Sequence, residues 1–170
     1  EAVIATDIRK AEGCQILDVM DKKAINTLVV EQEITEIYHL AALLSATGER
    51  NPELCWNINV VGLENVIAAA KENNARLFSP SSIAVFGPDC PKIAPQKTPL
   101  NPTTVYGKTK SLGALALTPG LICEGFATLD SFHTKRPLVE ERQIMQWRFS
   151  TMLLKTGIMN ALFVKIQNCQ

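Results

Sequence analysis

Three features of this chain predict an α/β fold with a doubly wound parallel sheet. Short β-branched, apolar runs alternate with longer stretches whose apolar residues recur at helical spacing. Small or polar residues stand where the short runs end: Asp7, Ala41-Ala42 and Ser81-Ser82. In sheets of this kind chemistry sits beyond the carboxyl ends of the strands. A tyrosine and a lysine four residues apart, Tyr106 and Lys110, then open the helix that follows the last of those ends.

Each element has a local reason. Residues 2–6 are a short apolar run read as a buried strand, with Asp7 at its end. Residues 15–17, followed by Asp18-Val19, form a second short strand. Residues 22–31 place Ala24, Ile25, Leu28 and Val29 at helical spacing. Residues 36–40 make a third strand that runs into Ala41-Ala42. Asn51-Pro52 starts a helix, with asparagine as N-cap and proline in the first turn. It extends to about residue 73 and is apolar on more than one side, through Leu54, Ile58 and Val61 and through Val60, Leu63 and Ile67. A helix lying between a sheet and a neighbour has this character. Residues 76–79 are a fourth strand leading into Pro80-Ser81-Ser82. Five prolines in residues 87–102 mark a loop, and Thr103 or Thr104 begins the helix of Tyr106 and Lys110.

Composition narrows the function classes. The 170 residues suffice for a domain with a real core. Seventeen basic and 17 acidic residues cancel without a like-charge block, which argues against a nucleic-acid surface. The five cysteines are widely spaced and form no C-x-x-C pair, so neither a metal site nor a redox dithiol is expected. They read as reduced thiols of an intracellular protein, cytoplasmic or in the mitochondrial matrix. Glu1-Ala2-Val3-Ile4 shows no leader pattern, and no apolar run reaches membrane-spanning length. No membrane association is expected.

The tyrosine–lysine pair suggests acid–base chemistry. Positions i and i+4 share a helix face. A lysine charge one turn away favours the phenolate and lowers a pKa that is ordinarily about 10. Such a tyrosine can take a proton from an alcohol near neutral pH. A serine hydroxyl can hold the same alcohol, and with a bound hydride acceptor the set would oxidise it. The spacing alone is common on solvated helix faces, so its position after three strand ends carries the argument. His39 reads as a packed strand histidine and Asn59 as a buried structural amide. Nothing orders Cys123 and His133 into a thiol pair.

Taken in order, strand–Asp7, Asp18-Val19, His39-Leu40-Ala41-Ala42, Asn59, Ser81-Ser82-Ile83-Ala84-Val85-Phe86-Gly87 and Val105-Tyr106-Gly107-Lys108-Thr109-Lys110 resemble the extended short-chain dehydrogenase/reductase superfamily. Within it, Tyr38-His39-Leu40-Ala41-Ala42-Leu43-Leu44-Ser45-Ala46-Thr47-Gly48-Glu49 is similar to the NAD-dependent L-threonine 3-dehydrogenase branch. The resemblance covers residues 1–112. It implies Tyr106 as general base toward the threonine hydroxyl and Lys110 as the group that tunes it and bonds the nicotinamide ribose. Ser82 would orient the substrate hydroxyl, ahead of Ser81, and Ser45 would contact substrate. Asp7, with Ile8 beside it, would hold the adenosine ribose and favour NAD over NADP. Asp18 and Val19 would edge the adenine, and Leu40, Ala41 and Ala42 would line the cofactor. The implied reaction converts L-threonine and NAD to 2-amino-3-oxobutanoate and NADH, in a family of homodimers.

The chain also departs from that family. It begins at the family's second strand and contains no G-x-x-G-x-x-G turn. The segment between Arg9 and Ile16 is shorter than the family's. In strand order 3-2-1-4-5-6 the first strand is central. The expected fold is therefore a partial Rossmann-type sheet, lacking that strand and the C-terminal substrate-binding part. A gap with two unpaired edges is expected between the strands ending at Asp7 and Leu40. Residues 1–116 read as a partial NAD-binding domain and residues 117–170 as a tail unlike the family. Apolar residues in 143–166 (Ile144, Trp147, Leu154, Ile158, Leu162) give the tail an amphipathic look that supports no site. Back-translated from Leu121 with permitted codons and read two nucleotides along, the tail gives Arg-Tyr-Pro-Gly and Gly-Gly-Gly-Thr-Thr-Asp-Tyr-Ala segments similar to the family's continuation. A frameshifted translation follows as an expectation, and with it little or no catalysis. The rival expectation is a non-catalytic chain that docks on an intact subunit through residues 52–73 and the Tyr106 helix. An epimerase or dehydratase is a weaker third, because Leu43 to Glu49 points to the threonine branch. Sequencing the transcript across the codons for Leu112 to Leu121 should reveal the shift; an unshifted message encoding this tail contradicts it.

Overall fold

The structure is a computed structural model that describes residues 2–95, 98–116 and 162–166. Four strands lie as the sequence predicts: β1 (Ala2–Asp7), β2 (Cys14–Ile16), β3 (Ile34–His39) and β4 (Arg76–Phe78). β1 pairs in parallel with β2, and β3 pairs in parallel with β4. Every backbone group on the facing edges of β1 and β3 needs a partner once buried. A fifth strand, β5 (Leu162–Ile166), supplies it and completes the order β2-β1-β5-β3-β4. The expected gap is therefore filled, and the sheet is mixed. β5 runs antiparallel to both neighbours, since five extended residues satisfy these edges in either direction. The rest of the tail, including Cys123 and His133, lies outside the described residues.

Helix α1 (Lys22–Glu31) starts where Asp21 accepts a hydrogen bond from the Ala24 amide at 2.9 Å. It buries Ile25 and Val29 against the sheet side of the core. Helix α2 (Ser45–Arg50) was not foreshadowed by periodicity. Helix α3 (Pro52–Trp56) is capped by Asn51 and passes through a π turn (Asn57–Val61) into α4 (Gly62–Glu72). The three segments make the single long helix expected over residues 52–73. α4 packs close to the turn after β2, because a Cβ on Gly62 would stand 2.8 Å from Val19 Cγ2.

Ile37 of β3, Leu77 of β4, Ile25 of α1 and Val66 of α4 are fully buried together in the core. Asn74, with φ 53°, turns the chain out of α4, and Ala75 N–H bonds the Ala70 carbonyl at 2.9 Å. Asn73, the C-cap of α4, donates to Asn26 on α1 at 2.8 Å, tying the two helices beside the sheet. On β3, buried Glu36 pairs with Arg76 of β4 and accepts from the Tyr38 hydroxyl. These contacts set the four parallel strands so that Asp7, His39 and Ser79 emerge at one edge. No described helix is long and apolar enough to cross a membrane.

Candidate active site

Helix α5 (Val105–Ala116) carries Tyr106 and Lys110. Its first turn leaves backbone amides without intrahelical partners. Thr104 Oγ1 accepts from the Gly107 amide at 3.0 Å. Glu49 Oε1, from α2, accepts from the Val105 amide at 2.7 Å and the Tyr106 amide at 3.4 Å. A carboxylate there also meets the positive end of the helix dipole. Gly107 allows α5 to touch the 3₁₀ turn Ile83–Val85, because a Cβ at this position would collide with the Ala84 carbonyl. The serine loop after β4 and the tyrosine helix are thereby locked together.

Lys110 Nζ donates to the Pro80 carbonyl at 3.2 Å and lies 5.9 Å from the centre of the Tyr106 ring. Burial lowers its pKa to about 8, with Cys55 pulling the other way. The ammonium therefore still predominates at neutral pH. Beside it, His39 is 3 % exposed at the end of β3. Burial, and then the charge of Lys110, hold its pKa down to about 3, so the imidazole is neutral. Its Nδ1 is buried with no hydrogen-bond partner among the described residues. His39, Ala41, Asn59, Ser81, Thr109 and Lys110 share the wall of one small cleft.

Asn59, placed by the π turn, ties the walls together. Its Oδ1 accepts from the Leu43 amide at 2.7 Å, and its Nδ2 donates to the Leu43 carbonyl at 3.0 Å. The same Nδ2 reaches Thr109 Oγ1 on α5 at 3.1 Å and Cys55 Sγ at 3.4 Å. Burial raises the Cys55 thiol pKa, an effect opposed by a hydrogen bond with Thr109. The structural reading of Asn59 agrees with these bonds, which run to backbone and neighbouring side chains.

The remaining expected site residues separate into groups. Ser82 caps the 3₁₀ turn by accepting from the Ala84 amide at 3.2 Å, which leaves its O–H as a donor. Ser81, ranked behind it in the sequence, shares the cleft wall with Lys110. Leu40 is buried, and Ala41 and Ala42 are half-buried at the end of β3. Ser45 is exposed at the start of α2, the helix that packs on α5. Asp7 is buried at the end of β1, where its Oδ1 accepts from the Arg9 amide at 2.9 Å. Ile8 is 64 % exposed. Asp18 closes its own turn by accepting from the Met20 amide at 2.9 Å, and Val19 is buried with its carbonyl held by Asn65. No group of three metal-ligating side chains occurs among the described residues.

The NAD dependent epimerase/dehydratase family model matches residues 2–118. The chain belongs to this family. An uncharacterized epimerase/dehydratase of Staphylococcus aureus is 45 % identical over 122 residues, which are 66 % of this chain and 38 % of the relative. Among solved structures, a monomeric L-threonine 3-dehydrogenase from a metagenome is 46 % identical, with a TM-score of 0.69 over 74 % of this chain and 44 % of that one. L-threonine dehydrogenase from Clostridium difficile is 38 % identical, with a TM-score of 0.69 over 73 % and 43 %. The GalE-like L-threonine dehydrogenase from Cupriavidus necator, a holo form, is 36 % identical, with a TM-score of 0.67 over 72 % and 44 %. The chain thus spans less than half the length of each of these relatives.

A dinucleotide fits the described residues of this family member only in part. The strand ends offer a buried carboxylate at Asp7 and small residues at Ala41-Ala42, and Lys110 stands across the cleft. A pyrophosphate in such folds sits on a helix N-terminus just after the central strand. Here the central strand is β5, and its first residue, Leu162, lies opposite Thr6 and His39 at that edge. No strand-to-helix turn meets the crevice there among the described residues. Those residues do not fit the pyrophosphate.

Sequence reasoning missed Glu49 and Thr109. Glu49 bonds Val105 across 56 residues, a separation that no periodicity exposes. Thr109 follows Tyr106 by three residues and bonds its carbonyl at 2.8 Å, so helical spacing alone could have singled it out. Glu49→Ala should cost about 1 kcal/mol of stability, the usual scale for a lost helix cap. It should also speed hydrogen exchange at the Val105 and Tyr106 amides, with Glu49→Gln intermediate. Unchanged exchange at both amides contradicts the capping role.

Proposed function

We propose that residues 1–116 descend from an L-threonine 3-dehydrogenase-type oxidoreductase, with residues 117–170 a separate tail. The family match ending at residue 118 supports that division. The observation that carries the functional reading is the seating of Lys110 between the Pro80 carbonyl and the Tyr106 ring, directly beside the serine loop. Identities of 36 to 46 % with three L-threonine dehydrogenases support the substrate class.

The proposed reaction oxidises the β-hydroxyl of L-threonine with NAD as acceptor, giving 2-amino-3-oxobutanoate and NADH. Within it, a serine hydroxyl of Ser82 or Ser81 holds the alcohol oxygen. The Tyr106 oxygen takes the hydroxyl proton. Lys110, held by the Pro80 carbonyl, keeps a positive charge 5.9 Å from the centre of the Tyr106 ring. Asp7 would face the adenosine ribose, consistent with NAD. Ser45 would meet the amino acid from α2, the helix that Glu49 fastens to α5.

This 170-residue chain is proposed to turn over poorly, because the described residues supply no strand-to-helix turn for the pyrophosphate beyond the central strand β5. Incubating purified chain with L-threonine and NAD, and following NADH absorbance, tests both parts of the reading. Trace, threonine-dependent NADH formation that falls at least about 100-fold in Tyr106→Phe is the expected result. Turnover at ordinary dehydrogenase rates, on the order of 10 s⁻¹, overturns the impairment. NADH formation unaffected by Tyr106→Phe overturns the role of the tyrosine.

A further inference from the structure

The small cleft beside Lys110 carries polar side chains that the tyrosine–lysine chemistry does not use. Its walls include His39, Asn59, Ser79, Thr109 and Lys110. Four of these residues, His39, Asn59, Ser79 and Thr109, are each less than 9 % exposed. A cavity volume of about 10 Å³ is room for a single water molecule. His39 Nδ1 is a buried polar atom without a hydrogen-bond partner among the described residues, and such atoms are rare in folded proteins. Lys110 Nζ has three protons, of which the Pro80 carbonyl takes one.

We infer that this cavity is a built site for one buried water, which accepts a hydrogen bond from Lys110 Nζ and donates one to His39 Nδ1. His39 then acts as a positioning residue that reaches the lysine through the water. The direction of the bonds follows from charge. An ammonium can only donate, so the second group must accept. An imidazolium facing the Lys110 charge would be repelled, and burial also disfavours it. His39 therefore presents a bare Nδ1 and carries its proton on Nε2. The other titratable groups packed near this pair are Tyr106 on α5 and Cys55 on α3, with Glu49 on α2 behind Cys55. The Asn59 amide is already committed to Leu43, Thr109 and Cys55, which leaves His39 as the group in need of a partner.

The inference rests on the proposed function only for its catalytic meaning, that the lysine of a proton-handling pair is held from two sides. Its test measures no turnover. The full chain is labelled with ¹⁵N-histidine and ¹³C-lysine, and His133→Gln assigns the two histidines. Between pH 5 and 8, His39 should show an unprotonated, hydrogen-bonded Nδ1 and a cross-peak to a long-lived water. His39→Leu removes the acceptor and should lower the Lys110 pKa further, by about 0.5 to 1. His39→Asn restores an acceptor near the same place and should leave it within about 0.3 of the unmodified chain. An Nδ1–H tautomer, or the absence of a water cross-peak, overturns the inference even if His39→Leu fails to fold. An equal Lys110 pKa in the unmodified chain and a folded His39→Leu overturns it as well.

Discussion

One buried amide holds the candidate site in register. Asn59 brackets Leu43 through both its amide and its carbonyl, and bonds Thr109 on α5 with the same side chain. The segment after β3, the long helix α3–α4 and the tyrosine helix meet at this point. An apolar residue there would leave the Leu43 groups unpaired in a buried setting, which is costly. The π turn at Asn57–Val61 places the amide, since one extra residue per turn swings the side chain toward the strand ends. Other ties hold α5 as well: Glu49 and Thr104 at its start, the close approach of Gly107 to Ala84, and the Lys110 bond to the Pro80 carbonyl.

Burial then tunes the site in one direction. Lys110 and His39 both lose affinity for protons as they leave water, and the Lys110 charge further opposes a proton on His39. The result is an ammonium that can still release its proton near pH 8 beside a histidine that stays neutral. The unfolded chain binds a proton on His39 near pH 6.5, whereas the folded chain refuses it until about pH 3. The neutral imidazole thus favours the folded state fully above pH 6.5, and the advantage is lost as pH falls from 6.5 toward 3. Lys110 works the opposite flank: the unfolded lysine holds its proton to about pH 10.5, so stability rises with pH between about 8 and 10.5.

Local patterns made much of the fold legible. Asp21, Asn51 and the apolar spacing of Ile25 and Val29 mark helix starts and faces, because capping and period are properties of neighbours in sequence. The tyrosine, lysine and serine loop were legible for the same reason. Glu49 was not, since its partners lie 56 and 57 residues away. The six-residue helix α2 is too short to show a period. Hardest to foresee was β5. Its residues lie outside the family match to residues 2–118, and they pair with the facing edges of both β1 and β3. That strand takes the central place in the sheet.

The claim on which the rest depends is that Asn59 assembles the site, and Leu43 reports it most directly. Leu43 belongs to no helix or strand, and its amide donates to the Asn59 side chain at 2.7 Å. Residue-resolved hydrogen exchange on the full chain should find the Leu43 amide protected as strongly as the interior of β3. In Asn59→Ala that protection should vanish while Ile37 on β3 stays protected. A Leu43 amide that exchanges freely in the unmodified chain would contradict the account.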